Sequence, residues 1–274
     1  MKIRNIVKKI VSVILVVVLL VVSTDINVLS SDFKEISEDI VYVDGNEIRV
    51  SINTEEGYVK AESTSSQDDS YIIIYEDSGS VINVFDENEM DYVEYDLEIK
   101  SLTNEDIDIT IYDDNGELYD RFDDINDLFK DSYVTQAAVA VVVGITAETL
   151  ITAILEAAAC IVVASCIFYG AKAAVETIKS SKETRSYYYK AYIYEKNVFI
   201  NLNNITYNSA VSRIINKRSI YTYTSSMAKS VVLATGLGCT SSEISDLKGK
   251  VRFYHYHTAN RNGAHAFYGL PHVY

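Results

Sequence analysis

Residues 40–52 read Ile40-Val41-Tyr42-Val43-Asp44-Gly45-Asn46-Glu47-Ile48-Arg49-Val50-Ser51-Ile52. Apolar and polar side chains alternate on both sides of Asp44-Gly45-Asn46, a cluster of turn formers. The run therefore predicts two short strands joined by a tight turn. The same pattern returns downstream in Tyr71-Ile72-Ile73-Ile74-Tyr75, Val81-Ile82-Asn83-Val84-Phe85 and Ile107-Asp108-Ile109-Thr110-Ile111-Tyr112. Glu56-Gly57, Asp77-Ser78-Gly79 and Asp114-Asn115-Gly116 punctuate these runs. Six or seven short strands at this spacing predict an antiparallel β-sandwich or meander over residues 31–131, inside a chain of α+β class.

The rest of the 274 residues divides by charge and apolar content around that region. The net charge of -15 comprises +3 in residues 1–30, -25 in residues 32–131 and +7 in residues 132–274. The strand faces turned to water carry the acids. With 11 Gly, 1 Pro and 3 Cys, collagen-like, low-complexity and disulfide-dense classes are excluded. Lys2, Arg4, Lys8 and Lys9 precede an uncharged run from Ile10 to Thr24. That run suits the apolar core of a signal peptide and is short for a bilayer span of about 20 residues. Residues 1–30 are expected to be a signal peptide cut after Ser30, which makes the protein secreted; an uncleaved anchor is the alternative.

Residues 132–180 form an abruptly different stretch. Between Ala137 and Ala174 there are 12 alanines, and Gly144 and Gly170 are the only glycines. The composition predicts an Ala-rich hydrophobic helical segment, with Gly144 as a break. Membrane contact through residues 137–174 follows as one expectation, and a buried linking helix as the other. On one helix Cys160 and Cys166 would stand about 9 Å and 120° apart, beyond the ~7 Å that a disulfide allows.

Residues 181–274 predict a small basic α+β module. Lys179 to Tyr274 holds 13 Lys/Arg and four acids. Strands are expected at Tyr187–Glu195, Val198–Leu202 and Ile220–Tyr223, and helices at about Ser209–Lys217 and Ser226–Thr235. Thr240-Ser241-Ser242-Glu243 has capping-box spacing for one short helix. The tail from Lys250 to Val273 reads as a β-hairpin. All four histidines lie in its last 20 residues. The period of two puts His255 and His257 on one strand face. A two- or four-residue loop turns His265 to the other face. A three-residue loop, Arg261-Asn262-Gly263, brings all three histidines together and uses Gly263 at its left-handed position.

Three imidazoles on one face admit general acid–base work or a transition metal such as Zn²⁺. Four acids are too few for two-metal Mg²⁺ chemistry. The reading adopted is metal-independent, with no cofactor. His255, His257 and His265 form the catalytic set, with Arg261 as the supporting cation and Tyr268 beside them. Lys229, Lys250 and Arg252 are expected to bind substrate. Basic surface interleaved with tyrosines suits single-stranded nucleic acid, so the expected activity is that of a ribonuclease acting on RNA.

Two stretches carry a family resemblance: Tyr221-Thr222-Tyr223-Thr224-Ser225-Ser226-Met227-Ala228-Lys229-Ser230, and Tyr254-His255-Tyr256-His257 with Asn260-Arg261-Asn262-Gly263-Ala264-His265-Ala266-Phe267-Tyr268-Gly269. They resemble the C-terminal module of a family of secreted toxin-like proteins of Gram-positive bacteria, over roughly residues 185–274. Similar tails end larger polymorphic-toxin-like proteins. Positions 255, 257, 261, 265 and 268 match that pattern. The resemblance implies a Gram-positive source, an effector role and a cognate immunity protein as partner. It supplies no reaction. Opposite charges on residues 32–131 and on the tail suggest that the acidic region shields the basic one before delivery. The alternative function is a non-enzymatic membrane-active or envelope-bound protein.

Overall fold

The computed structural model describes residues 37–76, 79–86, 89–103, 105–123, 145–244 and 251–272. The expected signal peptide, its cleavage site, Gly144, Lys250 and residues 124–144 lie outside the described residues. Within them, strands dominate and four α-helices accompany them, a mixed α+β architecture with a large N-terminal antiparallel sheet.

The opening run forms its hairpin. In β1 (Ser37–Val43) and β2 (Asn46–Asn53), Val43 pairs with Asn46 across Asp44 and Gly45, whose φ values are 51° and 83°. Two consecutive left-handed residues give the turn whose twist matches paired strands, and Asp-Gly tolerates them best. β3 (Tyr58–Ser63), β4 (Tyr71–Tyr75), β5 (Ser80–Asp86) and β6 (Asp91–Leu102) follow as successive antiparallel neighbours. This is the meander alternative in its simplest order. β6 is long enough to pair with β5 on one edge and with β7 (Ile107–Tyr112) on the other, and β8 (Leu118–Phe122) adds to β7. Alternation buries Ile48, Val50, Val59, Ala61, Ile72, Ile74 and Ile82. Helix α1 (Ala147–Glu156) covers these strands with Leu150, Ile151 and Ile154 buried, and the Thr146 hydroxyl caps it by accepting the Thr149 N–H at 3.3 Å.

The predicted helix through residue 174 gives way to a β-hairpin. β9 (Cys160–Val163) and β10 (Cys166–Gly170) are antiparallel, with Val163 opposite Cys166 across Ala164 and Ser165 at φ 50° and 58°. Alanine count misled because the alanines stand at the turn and the ends. The strands themselves read Cys-Ile-Val-Val and Cys-Ile-Phe-Tyr, and β-branched and aromatic side chains favour a pleated, buried surface. Gly170 closes the unit: its N–H donates to Ala159 O at 2.8 Å, and a Cβ there would lie 2.5 Å from Ala158 O. The cysteines are free thiols at opposite ends of the hairpin, so the helical separation argued for them does not apply. No helix among the described residues is long and apolar enough to cross a membrane.

Helix α2 (Ala171–Ser180) leads to β11 (Tyr188–Tyr194) and β12 (Asn197–Ile205). Next come α3 (Tyr207–Ile215), β13 (Ile220–Thr222) and α4 (Ser225–Ala234). The hydroxyls of Thr206 and Thr224 cap α3 and α4. The short helix expected at Thr240–Glu243 is instead the strand β14 (Glu243–Ile244), and the Thr240 hydroxyl accepts the His257 N–H at 3.2 Å. A capping box needs a helix-forming run behind it; here the run pairs with β15 (Arg252–Tyr256). β15 pairs antiparallel with β16 (Ala266–His272), which gives the expected tail hairpin.

Hydrogen bonding continues from β6 through β9, β10, β12, β11, β13, β16 and β15 to β14. Strands from before position 131 and after position 180 thus belong to one sheet, and one buried cluster reaches from Val43 to Phe267. The pairing of β13 with β16 is the one parallel contact among the described strands. It sets Ser219 and Ile220 beside His265, where the Ile220 N–H donates to His265 O at 2.9 Å.

Candidate functional site

The histidines meet, though not through the loop that was expected. His255 pairs with Phe267 and Tyr256 with Ala266, so residues 257–265 form the connection and His257 stands opposite His265. Residues 255, 257, 265 and 267 then share one face by parity. A longer loop with an odd number of residues achieves what the three-residue loop promised. Its conformation is fixed by its own side chains. The Thr258 hydroxyl donates to Asn260 Oδ1 at 2.8 Å, the Asn262 amide donates to Ile214 O at 2.7 Å, and Asn262 Oδ1 accepts the Ala264 N–H at 3.0 Å.

That face looks inward. Phe253 and Phe267 are fully buried below it, His255 is 4% and His257 8% exposed, and the ring of His265 lies stacked on Phe267 at 5.2 Å. Ring centroids of the three imidazoles are 4.7, 5.0 and 4.5 Å apart. Burial holds the His255 imidazole below its ordinary value and takes His265 down to about 4. Both rings are neutral at pH 7.

Hydrogen bonding fixes which nitrogens face each other. His257 Nδ1 lies 3.0 Å from Ala264 O and His255 Nδ1 lies 3.3 Å from Phe253 O. A carbonyl only accepts, so each Nδ1 carries a hydrogen, and the two rings turn their Nε2 atoms toward each other. These two Nε2 atoms are 3.1 Å apart. Nδ1 of His265 is 3.5 Å from the Ser219 hydroxyl, which accepts the His265 backbone N–H at 3.1 Å. One ligand atom from each of His255, His257 and His265 lies within 4.8 Å of the others.

Arg261 and Glu243 are charged neighbours of the histidines. Glu243 is the register partner of His255 across β14 and β15, and so shares its face. Arg261 donates to the Glu243 carboxylate at 2.5 Å. This hydrogen bond and the guanidinium charge hold the Glu243 carboxyl below its usual range, with smaller help from His257 and His255. Arg261 therefore acts on the histidines through a carboxylate that sequence reading passed over. Glu243 had been placed in a cap, and Ser219 had drawn no attention. The signal for Glu243 was its position among the few acids of the tail.

The other expected residues fall elsewhere. Tyr268 belongs to the opposite face of the hairpin, stacked with Tyr256 at 5.4 Å and Tyr254 at 6.1 Å, its hydroxyl 2.5 Å from Ser242 Oγ. Arg252 opens β15 opposite His272. Lys229 is exposed on α4, where its charge reaches Cys239. Lys217 and Arg218 line a separate cavity with Lys190. No protein family, curated protein or solved structure matches this chain.

Proposed function

We propose that this chain is an exported, toxin-like effector whose C-terminal region is a hydrolase built on one transition-metal ion, Zn²⁺ by preference, held by His255, His257 and His265. The observation that carries the reading is that the Nε2 atoms of His255 and His257 face each other 3.1 Å apart, with a ring nitrogen of His265 within 4.8 Å. Two lone pairs at that distance repel unless a proton or a metal ion stands between them, and a third imidazole close by favours the ion. Zn–N bonds of about 2.05 Å at tetrahedral angles require N···N edges of about 3.3 Å. Backbone carbonyls on Nδ1 are the outer partners that orient metal-binding imidazoles. Three protein ligands would leave a fourth position for water, whose acidity a bound ion would raise. Glu243, the register partner of His255 and held by Arg261, would be the nearby carboxylate to accept a proton from such a water.

Unaided acid–base catalysis is the less favoured form. Burial lowers the proton affinity of His255 and His265, which weakens them as general bases. RNA is the first substrate class to test, supported by the basic, tyrosine-rich tail. A cognate immunity protein is the partner implied by the toxin likeness. The membrane-active alternative has less support, because Ile161, Val162, Ile167 and Tyr169 are spent on the protein's own core.

The test is metal analysis of the purified chain alongside RNA cleavage. The account expects one zinc per chain, loss of cleavage in chelator and recovery on adding Zn²⁺. Cleavage undiminished in chelator, abolished by His257→Ala, would return the mechanism to acid–base catalysis. Neither zinc nor cleavage would remove the hydrolase reading.

A further inference from the structure

A cavity of about 560 Å³ opens beside β10, β11 and the segment after α3. Lys190, Arg213, Lys217 and Arg218 all line it, and no acidic residue does. None of the four makes an ion pair with a described residue. The Arg213 guanidinium is half-buried and donates only to backbone carbonyls, Ser219 O at 3.1 Å and Ala191 O at 3.4 Å. Burial and the charge of Arg218 both press its proton affinity down. Gathering cations around a cavity without a counter-charge costs free energy that an entering anion offsets. One wall is aromatic: Phe168 and Tyr192 pack with ring centroids 5.8 Å apart, and Tyr192 is partly open to solvent. The volume falls in the ordinary range for small-molecule sites, roughly 300–1,000 Å³.

We infer that this cavity is a binding site for a nucleoside monophosphate, with the phosphate among Lys190, Lys217 and Arg218 and the base against Phe168 and Tyr192. The cations supply a positive site for a phosphate dianion, and Arg213 is anchored as a fixed fourth charge. The aromatic wall supplies a stacking face that inorganic phosphate alone would leave unused. Ser219 joins this cavity to the histidine centre, since it lines the one and touches His265 in the other. The inference stands without the metal, because none of the cavity's ligating groups is a histidine.

The test is calorimetric titration of the full chain, kept in chelator, with AMP, adenosine and inorganic phosphate. AMP should bind at least tenfold more tightly than either fragment. Arg218→Ala and Lys190→Ala should each weaken AMP by tenfold or more at unchanged thermal stability, and Tyr192→Ala should weaken AMP but not phosphate. His255→Ala should leave AMP binding intact; if it abolishes binding while Lys190→Ala does not, the phosphate sits at the histidines and the cavity assignment is overturned. Equal binding of AMP and adenosine, or no binding of AMP, also overturns it. A 5′-phosphorylated tetranucleotide binding as AMP does would identify a strand terminus as the source of the same group.

Discussion

Replacing Gly170 by alanine separates two folds by the sign of its effect. In a helix running through residue 170, Gly→Ala stabilises by about 1 kcal/mol. In the β9–β10 hairpin, the added Cβ meets Ala158 O at 2.5 Å. A carbon and a carbonyl oxygen rest near 3.3 Å, so the backbone must yield by about 0.8 Å. Neither partner is free to yield. Ala158 already sits at φ 49° with its N–H donated to Leu155 O at 3.0 Å, and Gly170 N–H holds Ala159 O at 2.8 Å. Losing the second bond costs about 1 kcal/mol and forced overpacking about 1–3. The expected loss is therefore roughly 2–4 kcal/mol, read by guanidinium denaturation followed by circular dichroism with the m-value unchanged. Gly263→Ala is the comparison: no atom lies within 4 Å of its added Cβ, so only its φ of 96° opposes substitution. It should cost about 1–2 kcal/mol. A Gly170→Ala protein as stable as the parent, or more so, refutes the hairpin.

Other consequences are open to direct measurement. Burial pushes the Cys160 thiol up to about 12, so in the native protein at pH 8 an alkylating reagent should modify Cys166 and Cys239 and spare Cys160 until denaturant is added. Equal labelling of all three would show β9 to be solvent-accessible. Tyr268→Phe should leave zinc affinity unchanged, because Tyr268 lies on the far face of the hairpin; a tenfold loss would place it in the centre after all. Glu243→Gln should keep the metal and lower hydrolysis by about 10²- to 10⁴-fold. Loss of zinc in that variant would instead make Glu243 a ligand.

The N-terminal sheet was legible because one face is buried and the other wet, so alternation survives in residues 47–52 and 107–112. β6 shows the same signal, since Glu94-Tyr95-Asp96-Leu97-Glu98-Ile99 alternates with its acids outward and Tyr95 and Leu97 on the inner face. The hairpin at residues 160–170 was misread for the opposite reason. Buried on both faces, it shows no alternation, and a short apolar run cannot be told from helix by period alone. Only the β-branched cluster and the position of Gly170 distinguished it. At the site, a period of two grouped His255 with His257, and parity brought in His265. What sequence could not reveal is long-range: Glu243 reaches the histidines through β14 pairing, and Ser219 through the parallel contact of β13 with β16.

The claim on which the account turns is that three imidazoles share one ion. X-ray absorption at the zinc edge, on the chain loaded with one equivalent of Zn²⁺, addresses it without recourse to activity. The account predicts a four-coordinate shell with three imidazole nitrogens at about 2.0–2.1 Å, falling to two in His265→Ala. A shell of oxygens only, or zinc that washes out on desalting, would contradict it.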